Sequence, residues 1–274
     1  MIITDEFIVL NLPKTGSTYV RAAIRRAHRK RAGIARHLAL KLRLVRTPTF
    51  VERLLPHIDE TNNPTVRDQH GTFRQIPVEH RNKKILTVVR NPLDRFVSAY
   101  HFGWWKTHPP GDKSAIREVY PHFPDLSFEE FFELFDTFGS ADRLQGVQTK
   151  SKIGIQTIQF VQFFFLDPIS VLRQMDEEWI DSGAYQKLLP EITFLRQECL
   201  NEELFWFLRK NGYEDVNLDF VLQDERVNVT TRGESPFASK QHYSESLLEK
   251  ILDRERFLFR LFPDYLPEVS VQDR

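Results

Sequence analysis

The sequence predicts a three-layer α/β domain built on a central, mainly parallel sheet. Two observations carry that expectation. The apolar run Phe7-Ile8-Val9-Leu10 leads through Pro13-Lys14-Thr15-Gly16-Ser17-Thr18 into a stretch of helical spacing. A second run, Lys84-Ile85-Leu86-Thr87-Val88-Val89, passes through Arg90-Asn91-Pro92 into another helical stretch. Strand–turn–helix units in series imply parallel strands joined by right-handed crossovers. The chain has 274 residues, enough for one large core, so residues 1–274 read as a single domain.

The elements follow in order. Residues 6–12 read as the first strand. Residues 17–31 read as a helix with Val20, Ala23, Ile24 and Ala27 on one face and Arg21, Arg25 and Arg29 on another, ended by Gly33. Residues 34–58 continue basic, with Arg36, Lys41, Arg43 and Arg46. Such a run is a solvated helix face or, alternatively, a docking surface for an acidic acceptor or an anionic membrane. Residues 64–71 read as a second strand ending at His70-Gly71, and residues 84–89 as a buried strand. The next helix takes Asn91 as N-cap, Pro92 at its first position and Asp94 in its first turn. Residues 101–126 read as a long connection whose Trp104 and Trp105 either stack on an acceptor or seal the core. Ser127 and Glu130 form a capping box ahead of Phe128, Phe131, Phe132 and Phe135, which read as core. Residues 139–157 are polar and irregular and suit a mobile acceptor-side loop. Residues 160–166 read as a strand, 179–189 as a short helix, 192–195 as a strand, 201–210 as a helix and 244–262 as the last helix.

Composition bounds the chemistry. Lys+Arg and Asp+Glu both number 38, but residues 1–100 hold 19 basic against 8 acidic side chains. That imbalance suits a polyanionic nucleotide, while a neutral chain without a recognised motif argues against nucleic acid as partner. Cys199 is the single cysteine, so no internal disulfide forms and a reducing compartment fits. No run approaches the roughly 20 apolar residues of a membrane span, and residues 1–12 lack the pattern of a signal peptide.

The first strand–loop–helix unit reads as a phosphate cradle, the plain alternative being turn chemistry with Ser17 or Thr18 as a helix cap. Loop amides, the positive end of the helix dipole and the Lys14 ammonium converge on an anion. The residue order differs from the nucleoside-triphosphate loop GxxxxGK[ST], because Lys14 precedes Gly16 and position 11 is Asn. Arg90 stands at the carboxyl end of its strand, and its planar fork suits a phosphate. Ser98 lies two turns into the following helix. His70 is expected at a strand end, where catalytic groups collect in open α/β sheets. Histidine ionises near neutrality, at a pKa of about 6.5, as a general base requires.

Pro13-Lys14-Thr15-Gly16-Ser17-Thr18 resembles the 5′-phosphosulfate loop of sulfotransferases that use 3′-phosphoadenosine 5′-phosphosulfate (PAPS). The segment from Lys84 to Tyr100 closely resembles that family's 3′-phosphate segment. Residues 194–200 and 227–233 resemble its later segments more loosely; Gln197, Glu198 and Cys199 depart from the aromatic-Glu-Asn common there. The resemblance implies the nucleotide-kinase-like sulfotransferase fold, PAPS as sulfuryl donor, PAP as product and no metal. It implies that Lys14, Thr15, Gly16, Ser17 and Thr18 hold the 5′-phosphate, with Lys14 beside the bridging oxygen, and that Arg90 and Ser98 hold the 3′-phosphate. Gln69-His70-Gly71 matches the position where many members carry a catalytic histidine; His108 and His101 are the runners-up. Arg232-Gly233 matches the basic-Gly loop that closes over the 3′-phosphate in cytosolic members. The acceptor is then a hydroxyl on a carbohydrate, lipid or small metabolite, and the expected location is the cytoplasm. The rivals are a nucleotide-dependent kinase and a non-catalytic module that binds a nucleotide or a polyanion.

Overall fold

The computed structural model describes residues 1–31, 49–56, 67–223 and 241–267. They fall into two compact units, Met1–Arg90 with Pro190–Val229, and Asn91–Leu189 with Thr230–Arg274.

The first unit holds the sheet. Strands β1 (Ile2–Thr4), β2 (Phe7–Val9), β3 (Phe50–Glu52), β6 (Lys84–Val89) and β7 (Ile192–Arg196) lie in the order β3-β1-β2-β6-β7. β2, β6 and β7 are parallel neighbours, and β1 is antiparallel to both β2 and β3. Four of the five strands therefore point the same way, as the predicted α/β class requires. Phe7, Val9, Leu86 and Val88 alternate onto one face of the sheet. There they pack with Val20, Ala23, Ile24 and Ala27 of the Ser17–Arg31 helix and Leu204, Phe207 and Leu208 of the Leu200–Lys210 helix. Ile8, Ile85 and Val89 are buried too, so the central strands are covered on both faces.

Two sequence expectations change here. The first strand is preceded by β1, and the buried Thr4 hydroxyl closes the tight turn between them, donating to Phe7 O (2.8 Å) and accepting from the amides of Glu6 (3.2 Å) and Phe7 (2.9 Å). Residues 64–66 lie outside the described residues; of the rest of the expected strand, β5 (Arg67–Asp68) pairs antiparallel with β4 (Leu55–Pro56) in a separate ribbon and not with the main sheet.

The second unit is helical among its described residues. Asn91 caps the Pro92–Phe102 helix by accepting from Leu93 N (3.0 Å), and Gly103 ends it at φ +69°. The Ser127–Glu130 capping box opens the Phe128–Leu134 helix, and Phe128, Phe131 and Phe132 are core, as predicted. Residues 101–126 are not a structureless connection. They hold the helices Trp104–Thr107 and Lys113–Val119, the latter capped by Asp112. Residues 160–166 are not a strand, because they end the Ile155–Phe164 helix, nine of whose ten residues are buried. The last helix is two helices, Glu245–Arg254 and Arg256–Leu261, broken at Glu255.

The break has a physical cause. Glu255 is fully buried and accepts hydrogen bonds from Gln156 N (3.0 Å), Thr157 N (2.7 Å) and Thr157 Oγ1 (2.7 Å). It thereby caps the Ile155–Phe164 helix, whose own N-cap is a glycine with no side chain to offer. Gly154 is required there, since a Cβ would stand 2.3 Å from Glu255 Oε1. Burial pushes the Glu255 carboxyl up from 4.5 to about 7, against the hydrogen bonds from Thr157 and Gln156 and the charge of Arg95. A folded-state value above the unfolded one contributes stability that is complete below pH 4.5 and is lost as pH rises through about 7. The unfolding free energy of wild type minus that of Glu255→Gln should therefore decline across that window. Chemical denaturation at stepped pH checks this, and parallel profiles for the two proteins would contradict it.

Candidate active site

The site begins where β2 ends. Leu10 N donates to Leu86 O (3.0 Å), carrying the β2–β6 pairing one residue further before the chain turns. Thr15 is fully buried, and its hydroxyl donates to Leu12 O (2.9 Å). That hydroxyl ties the loop together, so what Thr15 can offer an anion is its amide. Lys14 lies in the left-handed region at φ +66°, an uncommon place for a residue with a Cβ. Gly16 has φ +95°, and a Cβ there would come within 3.1 Å of Leu200 Cδ2. The loop thus rests directly on the start of the Leu200–Lys210 helix, and only glycine fits. The Ser17–Arg31 helix carries no acidic residue in its first turn, so nothing there opposes an anion at its positive end.

Because β2 and β6 are parallel neighbours, their carboxyl ends lie at one edge of the sheet. The Lys14–Thr18 loop and Arg90, the residue after β6, therefore share that edge. The segment after β7 joins them, with Gln197 N donating to Val89 O (2.9 Å).

His70 reaches the same edge by a route the sequence did not reveal. Its Nδ1 lies 2.6 Å from Asn11 O, at the exit of β2. A carbonyl oxygen can only accept, so Nδ1 carries the hydrogen, and the lone pair of the neutral ring is at Nε2. Asn11 is 1% exposed, and its Nδ2 donates to Gln69 O (3.2 Å). On the other side, a Cβ on Gly71 would lie 2.7 Å from Leu55 Cδ1 and 2.8 Å from Met1 Cε. Asn11 and this close packing hold His70 in place. His70 stands beside a glycine in the sequence, whereas Asn11 carries no such mark, because a contact 59 residues away leaves no local signal.

Of the remaining predicted residues, Ser98 lies in the second unit, buried in the Pro92–Phe102 helix. One turn before it, the buried Arg95 bonds to Gln156 Oε1 (3.3 Å) and to Gln159 Oε1, and Gln156 Nε2 donates to Pro92 O (2.9 Å). These amides fix the first turn of the helix that carries Ser98. Trp105 is buried in the second unit's core, whereas Trp104 is 58% exposed and stacks on His108. Arg232 and Gly233 lie outside the described residues, as does most of the basic 21–46 stretch beyond Arg31. No three His, Cys, Asp or Glu side chains converge as metal ligands among the described residues, and no described helix is long and apolar enough to cross a membrane.

The model of the sulfotransferase domain family matches residues 4–144, more than half of the 274-residue chain, and the chain belongs to that family. The matched span contains Lys14–Thr18, His70, Arg90 and Ser98. Among solved structures, the chain is similar to the crystal structure of mouse sulfotransferase SULT7A1 complexed with PAP. The identity is 14% and the TM-score 0.42, over 97% of this chain and 86% of that one, too distant a likeness to carry an argument. No curated protein sequence matches the chain.

Proposed function

We propose that this sulfotransferase, read as one domain over residues 1–274, moves a sulfuryl group from PAPS to a hydroxyl of a carbohydrate, lipid or small metabolite. The observation that carries the reading is the joint placement, at one sheet edge, of a lysine-bearing phosphate loop and a histidine whose Nε2 is the basic nitrogen. Sulfuryl transfer then proceeds in line. The acceptor oxygen bonds to sulfur, and its proton passes to His70 Nε2. The bond from sulfur to the bridging oxygen breaks, and PAP departs. Lys14 offsets the negative charge that grows on that bridging oxygen, and a charge placed where it develops is the strongest electrostatic lever available. The amides of Thr15, Gly16, Ser17 and Thr18 hold the 5′-phosphate, and Arg90 forks onto the 3′-phosphate. The family resemblance gives Ser98 the same 3′-phosphate role, and gives Arg232 and Gly233 a closing contact.

No step in this scheme calls on a metal, since positioning and the Lys14 charge supply the stabilisation. Cys199 is an exposed free thiol, which supports a reducing, cytoplasmic setting. The test is turnover. The purified chain, PAPS and a panel of sugar, lipid and small-molecule alcohols should yield PAP and a sulfated product in equal amounts. Tight PAP binding without turnover on any acceptor would instead make the chain a nucleotide-binding module.

A further inference from the structure

We propose that His101 and His242 form a bidentate site for a divalent transition-metal ion of the zinc, copper or nickel class. Their Nε2 atoms lie 3.3 Å apart at the surface of the second unit. Two imidazole nitrogens each about 2.05 Å from a tetrahedral ion are separated by about 3.3 Å, the bite that zinc requires. At that spacing the two nitrogens also satisfy a hydrogen bond when one of them carries a proton, and the ion would take that proton's place. The rings are inclined at 68° with centroids 5.1 Å apart, a T-shaped arrangement.

Both rings are held before any ion arrives. His101 packs on the Tyr100 ring at 5.3 Å, and His242 packs on Phe128 at 5.1 Å and on Tyr100 at 6.3 Å. Tyr100 is itself fixed, donating from its hydroxyl to Leu126 O (2.9 Å). The backbones are pinned as well. His101 lies in the Pro92–Phe102 helix, with its capped start and glycine stop. Tyr243, next to His242, donates to Leu93 O (2.6 Å) and packs edge-on against Phe128 at 5.1 Å. A donor pair that needs no reorganisation binds more tightly, and imidazole is the ligand these ions favour. Water completes the coordination. The ion joins the carboxyl end of the helix carrying Ser98 to the chain just ahead of the Glu245–Arg254 helix. Its role is to tie those elements together, apart from the transfer chemistry.

Zinc chloride titrated into the full chain by calorimetry is the test, with thermal unfolding in parallel. Wild type should bind one ion and gain melting temperature. His101→Ala and His242→Ala should each weaken binding on the order of 10²-fold, the loss expected when one arm of a chelate is cut, and should lose the thermal gain. His108→Ala should bind as wild type. If either alanine variant unfolds early without metal, His101→Gln and His242→Gln keep a polar side chain of similar reach and repeat the comparison. Absence of saturable binding in wild type, or zinc binding that survives both substitutions, would overturn the proposal.

Discussion

His70→Ala should lower kcat by about 10²–10⁴-fold, the range that a positioned proton acceptor contributes. The dissociation constant for PAP should stay close to that of wild type, because the ring is anchored to Asn11 O and has no assigned contact with the nucleotide. Removing the ring also leaves the Asn11 carbonyl without its donor, a structural effect distinct from catalysis. His70→Asn separates the two, since its side-chain amide can still donate a hydrogen bond yet cannot accept a proton at neutral pH. Both variants should be inactive to a similar degree while binding PAP normally. Near-wild-type turnover in either would remove His70 from the mechanism and turn attention to His108 or His101.

Lys14→Met should reduce kcat/KM by about 10²–10³-fold, the scale measured when one donor to a developing oxyanion is deleted. Most of that loss should fall on kcat, since a charge aimed at the leaving oxygen matters most in the transition state. The backbone supplies an internal control. Lys14 sits at φ +66°, where a side chain costs about 1–2 kcal/mol relative to glycine. Lys14→Gly should therefore be as inactive as Lys14→Met and yet no less stable than wild type in thermal unfolding. Loss of activity that tracked loss of stability across the two variants would show that the lysine serves the fold alone.

What the sequence disclosed is what local physics encodes. The Ser17–Arg31 helix, the β6 strand, the Pro92–Phe102 helix and the Ser127 capping box all carry their period and their caps within a few residues. The misses are tertiary. The Ile155–Phe164 helix carries Gln156, Gln159 and Gln162 at three-residue spacing, but nine of its ten residues are buried, and the apolar run Phe163-Phe164-Phe165-Leu166 reads locally as a strand. The split of the terminal helix at Glu255 depends on donors about a hundred residues away, at Gln156 and Thr157. β1 is three residues long, too short for any periodicity. The loop, Arg90 and His70 carry local sequence signatures, but among the described residues His70 ends no strand of the main sheet, and its bond to Asn11 sets it at the β2 exit. Asn11, Arg95, Gln156 and Gln159 do their work through side-chain bonds that only the folded chain assembles.

The most direct measurement of the central claim is nucleotide binding by calorimetry with PAP, ADP and ATP–magnesium, repeated on Arg90→Ala. PAP carries a 3′-phosphate that ADP lacks, while ADP carries a β-phosphate that PAP lacks, so the effect of Arg90→Ala on each ligand separately is what isolates the group Arg90 is assigned to hold. Tight PAP binding, with much weaker binding of ADP and ATP–magnesium, is the predicted result. Arg90→Ala should weaken PAP about 10–10²-fold, the worth of a charge-assisted hydrogen bond, and leave ADP nearly unchanged. Preference for ATP–magnesium over PAP, or a PAP affinity indifferent to Arg90, would contradict the account and favour a kinase.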